Sequence, residues 1–557
     1  MTLGTNQVRA ADLLVDGLRA HGVDRIFCVP GESYLALLDA LHDARDVDLV
    51  ACRHEGGAGF MALADAKITG RAGVCAVSRG PGATNASIAI HMAEQDAVPL
   101  VVLIGQVARA DRGRGAFQEI DYAQAFGAIA KGVWEVHDAG QLAEVVAQAF
   151  QAACSDTAGP AVIVLPEDML SDMVAAEAVA PLPLARAEAG PAEIDRVLAL
   201  LANSERPLVI AGGRVSEPKG RIALQAAAEA HDLAVAASFK RQDIFDNAHP
   251  NFAGYLGFKI PPTQVEAMAE ADLILAIGAR LNDVSTQGYR LPRAPVPDQP
   301  LVHVHPDPAR IGAVYETALG LAVDPVAFLE ALAARPAQAV PARRDWLAAL
   351  NERARALAVY TPVDPRDGVD FGAVVQALGE KAEPDAVIIT DAGNFGSWVH
   401  RHWPWRPSNL LLGLIGGAMG FGVPGAVAAA LRLPGRQVLS FIGDGGMLMT
   451  GGELATAVQE GAALKLFVSN NNSYATIRLH QERDYPGRVS GTRLANPDFA
   501  AWARAFGAEG IVVEREAEIE AAVEAALAAE GSVVVDVRSS LEAISAYTTM
   551  AKLRGGR

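Results

Sequence analysis

Two stretches decide the fold: Gln437-Val438-Leu439-Ser440-Phe441-Ile442-Gly443-Asp444-Gly445-Gly446, and Leu464-Lys465-Leu466-Phe467-Val468-Ser469-Asn470-Asn471-Asn472-Ser473-Tyr474. Each is a short apolar run that stops at a turn rich in glycine or asparagine, the pattern of a buried strand ending at a sheet edge. Asn471 lies 27 residues after Asp444, the length of one helical crossover between neighbouring parallel strands. Both turns therefore sit at the carboxyl edge of one sheet, where open α/β sheets bind ligands. An Asp carboxylate, an Asn amide oxygen and a main-chain carbonyl are hard oxygen ligands suited to Mg²⁺, which completes its octahedron with water and substrate phosphates. The glycines let backbone N–H groups reach phosphate oxygens. A lone Gly-Asp-Gly also reads as a tight turn; the paired asparagines at this spacing favour the ligand site.

Outward from this centre, strand and helix alternate along the whole chain of 557 residues. RIFCVPG, DLVACRHE, AGVCAVSRGPG, PLVVLIGQ and PAVIVLPEDML read as strands before residue 170. PLVIAGG, ADLILAIG and LVHVHPD read as strands of a middle unit, and AVIITD and GSVVVDVR join the two strands of the third. Ala- and Pro-rich linkers fall at 175–192 and near 345. This predicts an α/β protein with three doubly wound parallel-sheet domains at 1–180, 190–340 and 360–557. The uncharged run Leu410–Leu431 is long enough to span a bilayer, but its six glycines and one proline read as buried turns and a helix that approach a ligand or another backbone closely.

Lys and Arg number 47 against 65 Asp and Glu, a net charge of −18. That argues against nucleic acid and anionic membranes as partners. The four cysteines form no CxxC pair and read as buried thiols in a reducing compartment. The stretch MTLGTNQVRAADLL lacks the basic region and apolar core of a signal peptide, so a cytoplasmic protein is expected.

With these motifs in order along nearly the whole chain, the sequence resembles the thiamine-diphosphate enzymes of the acetolactate synthase and pyruvate decarboxylase superfamily, and is most similar to acetolactate synthase large subunits. The resemblance implies a pyrimidine-binding first domain, a Rossmann-like central domain and a diphosphate-binding third domain. It implies Mg²⁺ on Asp444, Asn471 and the Ser473 carbonyl. Gly393-Asn394-Phe395, Gly443, Gly445, Gly446 and Tyr474 would face the diphosphate. Met419, between Gly417-Ala418 and Gly420, would prop the cofactor into a V shape; the alternative for a methionine is core filler. Glu55, in Arg53-His54-Glu55, would exchange a proton at the pyrimidine N1′ and so favour the imino form of the 4′-amino group, which takes the C2 proton. Pro30, closing RIFCVPG, and Asn85, in GPGATN, would complete the pyrimidine side. Arg79 departs from the small residue usual in the family.

Ala116-Phe117-Gln118-Glu119 resembles the segment over the thiazolium in acetolactate synthases, and Phe117 and Gln118 are expected to line the substrate pocket. Arg280, in GARLND, is expected either to hold a second keto acid's carboxylate or to mark the mouth of the central domain. His480 falls where acetolactate synthases carry a pocket tryptophan; it reads as a proton donor or acceptor, or as a surface-loop histidine. His303 and His305 share a strand face without a third metal ligand. GYLGFKI, where acetolactate synthases have their FAD-cradling stretch, argues against FAD.

The resulting expectation is a decarboxylating carboligase that condenses two pyruvates to acetolactate and CO₂. Alternatives are an acyloin or benzaldehyde lyase, an aryl keto-acid decarboxylase, a 2-hydroxyacyl-CoA lyase, or a catalytically weak regulatory relative. The family also implies a homodimer or homotetramer with its sites between subunits.

Overall fold

The computed structural model describes residues 7–258, 260–336 and 338–555. Three six-stranded parallel sheets dominate it. The first holds β1 (Arg25–Cys28), β2 (Asp48–Ala51), β3 (Gly73–Val77), β4 (Leu100–Gln106), β5 (Gly132–Glu135) and β6 (Pro160–Pro166), in the order β2-β1-β3-β4-β6-β5. The central sheet holds β7 (Pro207–Ala211), β8 (Ala234–Ala237), β9 (Phe252–Tyr255), β10 (Leu273–Ile277), β11 (Leu301–Val304) and β12 (Leu319–Leu321), in the order β9-β8-β7-β10-β11-β12. The third holds β13 (Val387–Thr390), β14 (Leu410–Gly413), β15 (Val438–Gly443), β16 (Lys465–Ser469), β17 (Glu509–Val513) and β18 (Val533–Val537), in the order β14-β13-β15-β16-β18-β17. The first and third sheets thus share one strand order, a likeness that their Gly-rich turns only hint at in the sequence. The inner strands are continuous buried apolar runs, as cover on both faces by crossover helices requires, whereas edge strands such as β2, β5 and β17 are partly exposed.

In each sheet the chain starts inside and winds both ways, leaving a switch point at the carboxyl edge. In the third sheet it falls between β13 and β15, so the Asp391–Phe395 turn and the Gly443–Gly446 turn open side by side. The register pairs Gly443 with Ser469, bringing Asp444 level with the asparagine run.

The first and third domains share one apolar core. Helix α1 (Glu55–Thr69) packs against α2 (Pro81–Asp96) and against α3 (Gly422–Arg432), with Phe60 edge-on to Phe421 at 5.9 Å. Arg432 reaches from α3 to Asp65 and Asp24, with closest contacts of 2.7 and 2.8 Å. Buried Lys67 donates to Asp96 and to the Gly413 carbonyl, both at 2.6 Å. Desolvation holds its ammonium down to about 8, against the opposing pull of Asp96.

The Leu410–Leu431 run resolves into strand β14, a glycine-rich turn and most of α3. Among the described residues no helix is long and apolar enough to cross a membrane. All four thiols are unpaired; Cys28, Cys52 and Cys75 are buried and Cys154 half-buried. Arg79 is buried and bridges Glu32 at 3.1 Å and Glu167 at 2.7 Å, a strut across the edge of the first sheet.

Candidate functional site

A cavity of about 210 Å³ opens at the switch point of the third sheet, lined by Gly393, Asn394, Phe395, Gly417, Met419 and the Gly443–Gly446 turn, among others. Helix α4 (Asp444–Thr450) starts here, so its first N–H groups and the positive end of its dipole face the cavity. Asp444 is 3% exposed. One of its oxygens accepts the Gly445 N–H at 2.8 Å, and the other accepts the Ser473 N–H at 3.2 Å and the Asn496 amide at 2.8 Å. Burial pushes its carboxyl above the usual range, against the opposing pull of the hydrogen bonds from Asn496, Gly445 and Ser473. Beside it the Asn471 Oδ1 is buried and has no hydrogen-bond partner among the described residues. A buried carboxylate and an orphaned amide oxygen at one edge are what a hard divalent cation would satisfy; the donor set fits Mg²⁺.

The cavity is also shaped for a close-fitting ligand. A Cβ on Gly445 would lie 2.4 Å from the Tyr474 ring and 3.3 Å from the Met419 Cε, so only glycine keeps that wall open. Met419 is half-buried at the rim, whereas its neighbour Ala418 packs against the shared core and does not line the cavity. Asn394 donates its N–H to the Thr476 hydroxyl at 3.0 Å and its amide to the Ile544 carbonyl at 2.6 Å. It therefore ties the wall to α5 (Ala475–Asp484) and to the C-terminal segment.

Four further positions at this site had no local signal in the sequence. Asn496 donates to Asp444 and, at 2.8 Å, to the Asn470 Oδ1; Asn470 in turn donates to Asp536 at 2.8 Å. Asp391 accepts the Ala392, Gly420 and Gly422 N–H groups and so pins the turn that carries Met419 to the end of β13. Thr476 and Ile544 complete the wall. All are polar or apolar residues of ordinary type whose partners lie far away in sequence.

The pyrimidine-side residues gather elsewhere. Glu55 is the first residue of α1, and its carboxylate accepts the Asn85 amide at 2.9 Å. Gly80 packs against Gln118, which adopts φ +64°, and Phe117 beside it is 74% exposed. Pro30 is exposed at the end of β1. Among the described residues none before Ala392 lines the Asp444 cavity. The group around Glu55 and the Asp444 cavity are therefore separate within one chain.

Like Phe117 and Gln118, the expected pocket residues Arg280 and His480 do not line this cavity. Arg280 donates to the Glu94 and Gln95 carbonyls at the end of α2, because its place after β10 faces the first domain. His480 is half-buried within α5, not in a surface loop, and does not line the cavity. His303 and His305 are both buried; His303 bonds the Ala279 carbonyl and His305 accepts the Asp307 N–H. Among the described residues no group of three potential ligands could hold a metal there.

Arg280 belongs to a second, larger cleft of about 970 Å³ between the domains, at the switch point of the central sheet. Gly212 and Gly278 end the two strands that flank it, and Arg214 and Arg241 also line it. Its lining mixes these arginines with the carboxylates of Asp96, Glu217, Asp243 and Asp324.

Residues 8–125, 194–332 and 391–537 match, in turn, the N-terminal TPP binding domain, the central domain and the C-terminal TPP binding domain of thiamine pyrophosphate enzymes. The chain is 33% identical to an acetolactate synthase large subunit of Parasynechococcus marenigrum, over 95% of this chain and 87% of the relative. It is 30% identical to the acetolactate synthase isozyme 2 large subunit of Escherichia coli, over 95% of each. It is also 30% identical to an acetolactate synthase large subunit of Lactococcus lactis, over 90% of this chain and 88% of that one.

Proposed function

The chain belongs to the thiamine pyrophosphate enzymes, and from that premise we propose that it is a decarboxylating carboligase acting on 2-keto acids, with two pyruvates and a proton giving acetolactate and CO₂. The observation that carries this reading is the buried Asp444 carboxylate beside the orphaned Asn471 oxygen, at the mouth of a glycine-walled cavity. Asp444, Asn471 and the Ser473 carbonyl would hold Mg²⁺. Thiamine diphosphate, when bound, supplies the carbanion chemistry that releases CO₂ and joins the remaining fragment to a second carbonyl compound.

The chain's own residues have separate tasks. Glu55 holds and returns a proton at its carboxylate, oriented by the Asn85 amide. Met419 wedges the rim, and Asp391 fixes the turn behind it. Gln118 offers a neutral amide to the substrate without adding charge.

The two half-sites of one chain meet only if a second copy supplies the missing half, so the functional unit is a homodimer or a homotetramer. The exposed apolar side chains Ile88, Phe117, Leu448 and Met449 flank the two halves and are 39 to 74% exposed in one chain, which favours a covering partner. The clefts leave room for another donor or acceptor, and the central cleft leaves room for FAD.

The test is purified protein with thiamine diphosphate, Mg²⁺ and pyruvate, with and without FAD, with products identified by NMR. Acetolactate formation supports the proposal, and the two arms decide the FAD question. Pyruvate left unconsumed while the cofactor's C2 hydrogen exchanges with D₂O would reassign the substrate. Glu55→Gln should slow that exchange while Mg²⁺ binding persists. A fully active monomer by light scattering would refute the shared site.

A further inference from the structure

Glu453 is a carboxylate that the chemistry above leaves without a task. It lies just after α4, one short helix downstream of Asp444, and is 1% exposed. Its partners are not charged side chains. One oxygen accepts the Arg53 N–H at 3.1 Å and the His54 N–H at 3.0 Å; the other accepts the Arg53 N–H at 3.2 Å and the Thr456 hydroxyl at 2.7 Å. The two peptide N–H groups it holds belong to the other terminal domain and directly precede Glu55. The Arg53 side chain reaches the same segment, donating to Gln459 at 2.7 Å.

Two features make this a built contact. A Cβ on Gly57 would lie 2.3 Å from the nearer Glu453 oxygen, so glycine at this point of α1 leaves the space the carboxylate fills. The carboxylate also sits at the amino end of α1, where unpaired N–H groups and the helix dipole favour negative charge. That offsets part of the cost of burying the acid, with the charge of Arg53 adding a smaller pull.

We propose that Glu453 is a positioning residue for Glu55: it clamps the backbone of Arg53 and His54 and thereby sets where the proton-exchanging carboxylate points. This rests on the assignment of Glu55 made above. In the proposed assembly the clamp joins the diphosphate half of one site to the pyrimidine half of the other.

The experiment compares wild type, Glu453→Gln and Glu453→Ala. Amide hydrogen exchange is measured on the cofactor-free protein; C2 exchange and Mg²⁺-dependent cofactor affinity are measured on the loaded protein. In Glu453→Ala, exchange at the Arg53 and His54 amides should rise at least tenfold while β15 keeps its protection. C2 exchange should slow by at least tenfold, with cofactor affinity changed less than threefold. Glu453→Gln retains one acceptor oxygen and should recover most of both. Unchanged protection at Arg53 and His54 in Glu453→Ala would overturn the clamp. Affinity and C2 exchange falling by the same factor, or a glutamine variant as impaired as the alanine one, would reduce Glu453 to a structural residue and overturn the proposal. If instead Glu55→Gln exchanges C2 normally, the assignment of Glu55 fails while the amide-exchange result still reports on the clamp.

Discussion

Gly57→Ala tests the interdomain geometry most sharply, because two opposing effects have different sizes. Alanine in a helix interior is favoured over glycine by about 1 kcal/mol, so sequence logic alone predicts stabilisation. The structure predicts the reverse. The new Cβ would lie 2.3 Å from a Glu453 carboxylate oxygen, 2.8 Å from its Cδ and 3.0 Å from its Cγ. Ordinary contact needs the oxygen to withdraw by about 1 Å. The same withdrawal stretches its bonds to the Arg53 and His54 N–H groups, now 3.1 and 3.0 Å, beyond hydrogen-bonding range. Two bonds to a charged acceptor are together worth about 3–6 kcal/mol. Less the helix gain, the net loss is about 2–5 kcal/mol.

The assay is urea unfolding followed by two probes, since a chain of three domains need not unfold in one step, with amide exchange at residues 53 and 54. Gly452→Ala is the control: it lies in the same segment as Glu453, a Cβ there meets nothing within 4 Å, and its stability should stay within about 0.5 kcal/mol of wild type. A Gly57→Ala protein as stable as wild type, with both amides still protected, would refute the reasoning.

Asn496→Ala removes a donor from Asp444, and should weaken Mg²⁺ binding by about 10–100-fold, read by calorimetry with thiamine diphosphate present; unchanged affinity would separate Asn496 from the metal site. Lys67→Met strands the buried Asp96 charge and should cost about 3–5 kcal/mol, whereas Lys67→Met with Asp96→Asn should recover much of it; additive losses would show that the two do not interact. Burial, aided by nearby positive charge, holds His305 and His400 down to about 3 in the folded protein. The unfolded chain therefore takes up a proton at each between pH 6.5 and 3, and stability is full above that window and falls as the pH drops through it. At pH 5 each contributes about 2 kcal/mol of that loss. His400→Gln should accordingly flatten the acid limb of the stability curve, and parallel curves for variant and wild type would count against its buried, neutral state.

Part of this molecule is written locally and part is not. Apolar runs that end in glycine or asparagine turns specify parallel strands and their ligand-facing edge, because strand burial and turn chemistry depend on neighbours in sequence. A crossover of fixed length then places Asp444 beside Asn471. For that reason three parallel α/β sheets, and the approach of Asp444 to the asparagine run, could be read from the chain alone. The roles proposed for Glu55 and Met419 rest on resemblance to a family, since a charged loop or a methionine among glycines carries no local mark of a task.

Other assignments depended on contacts that no sequence window contains. Asn496 approaches Asp444 across 52 residues, and Glu453 reaches Arg53 across 400. Arg280 turned out to bond carbonyls at the end of α2, and His480 to lie within a helix. Residue type told nothing of these, because asparagine, glutamate and arginine are as common on solvated surfaces as in buried networks. Sequence determined the sheets and the turns at their edges. Tertiary packing alone decided which distant backbone groups and polar side chains share a buried space, where low dielectric makes each pairing count.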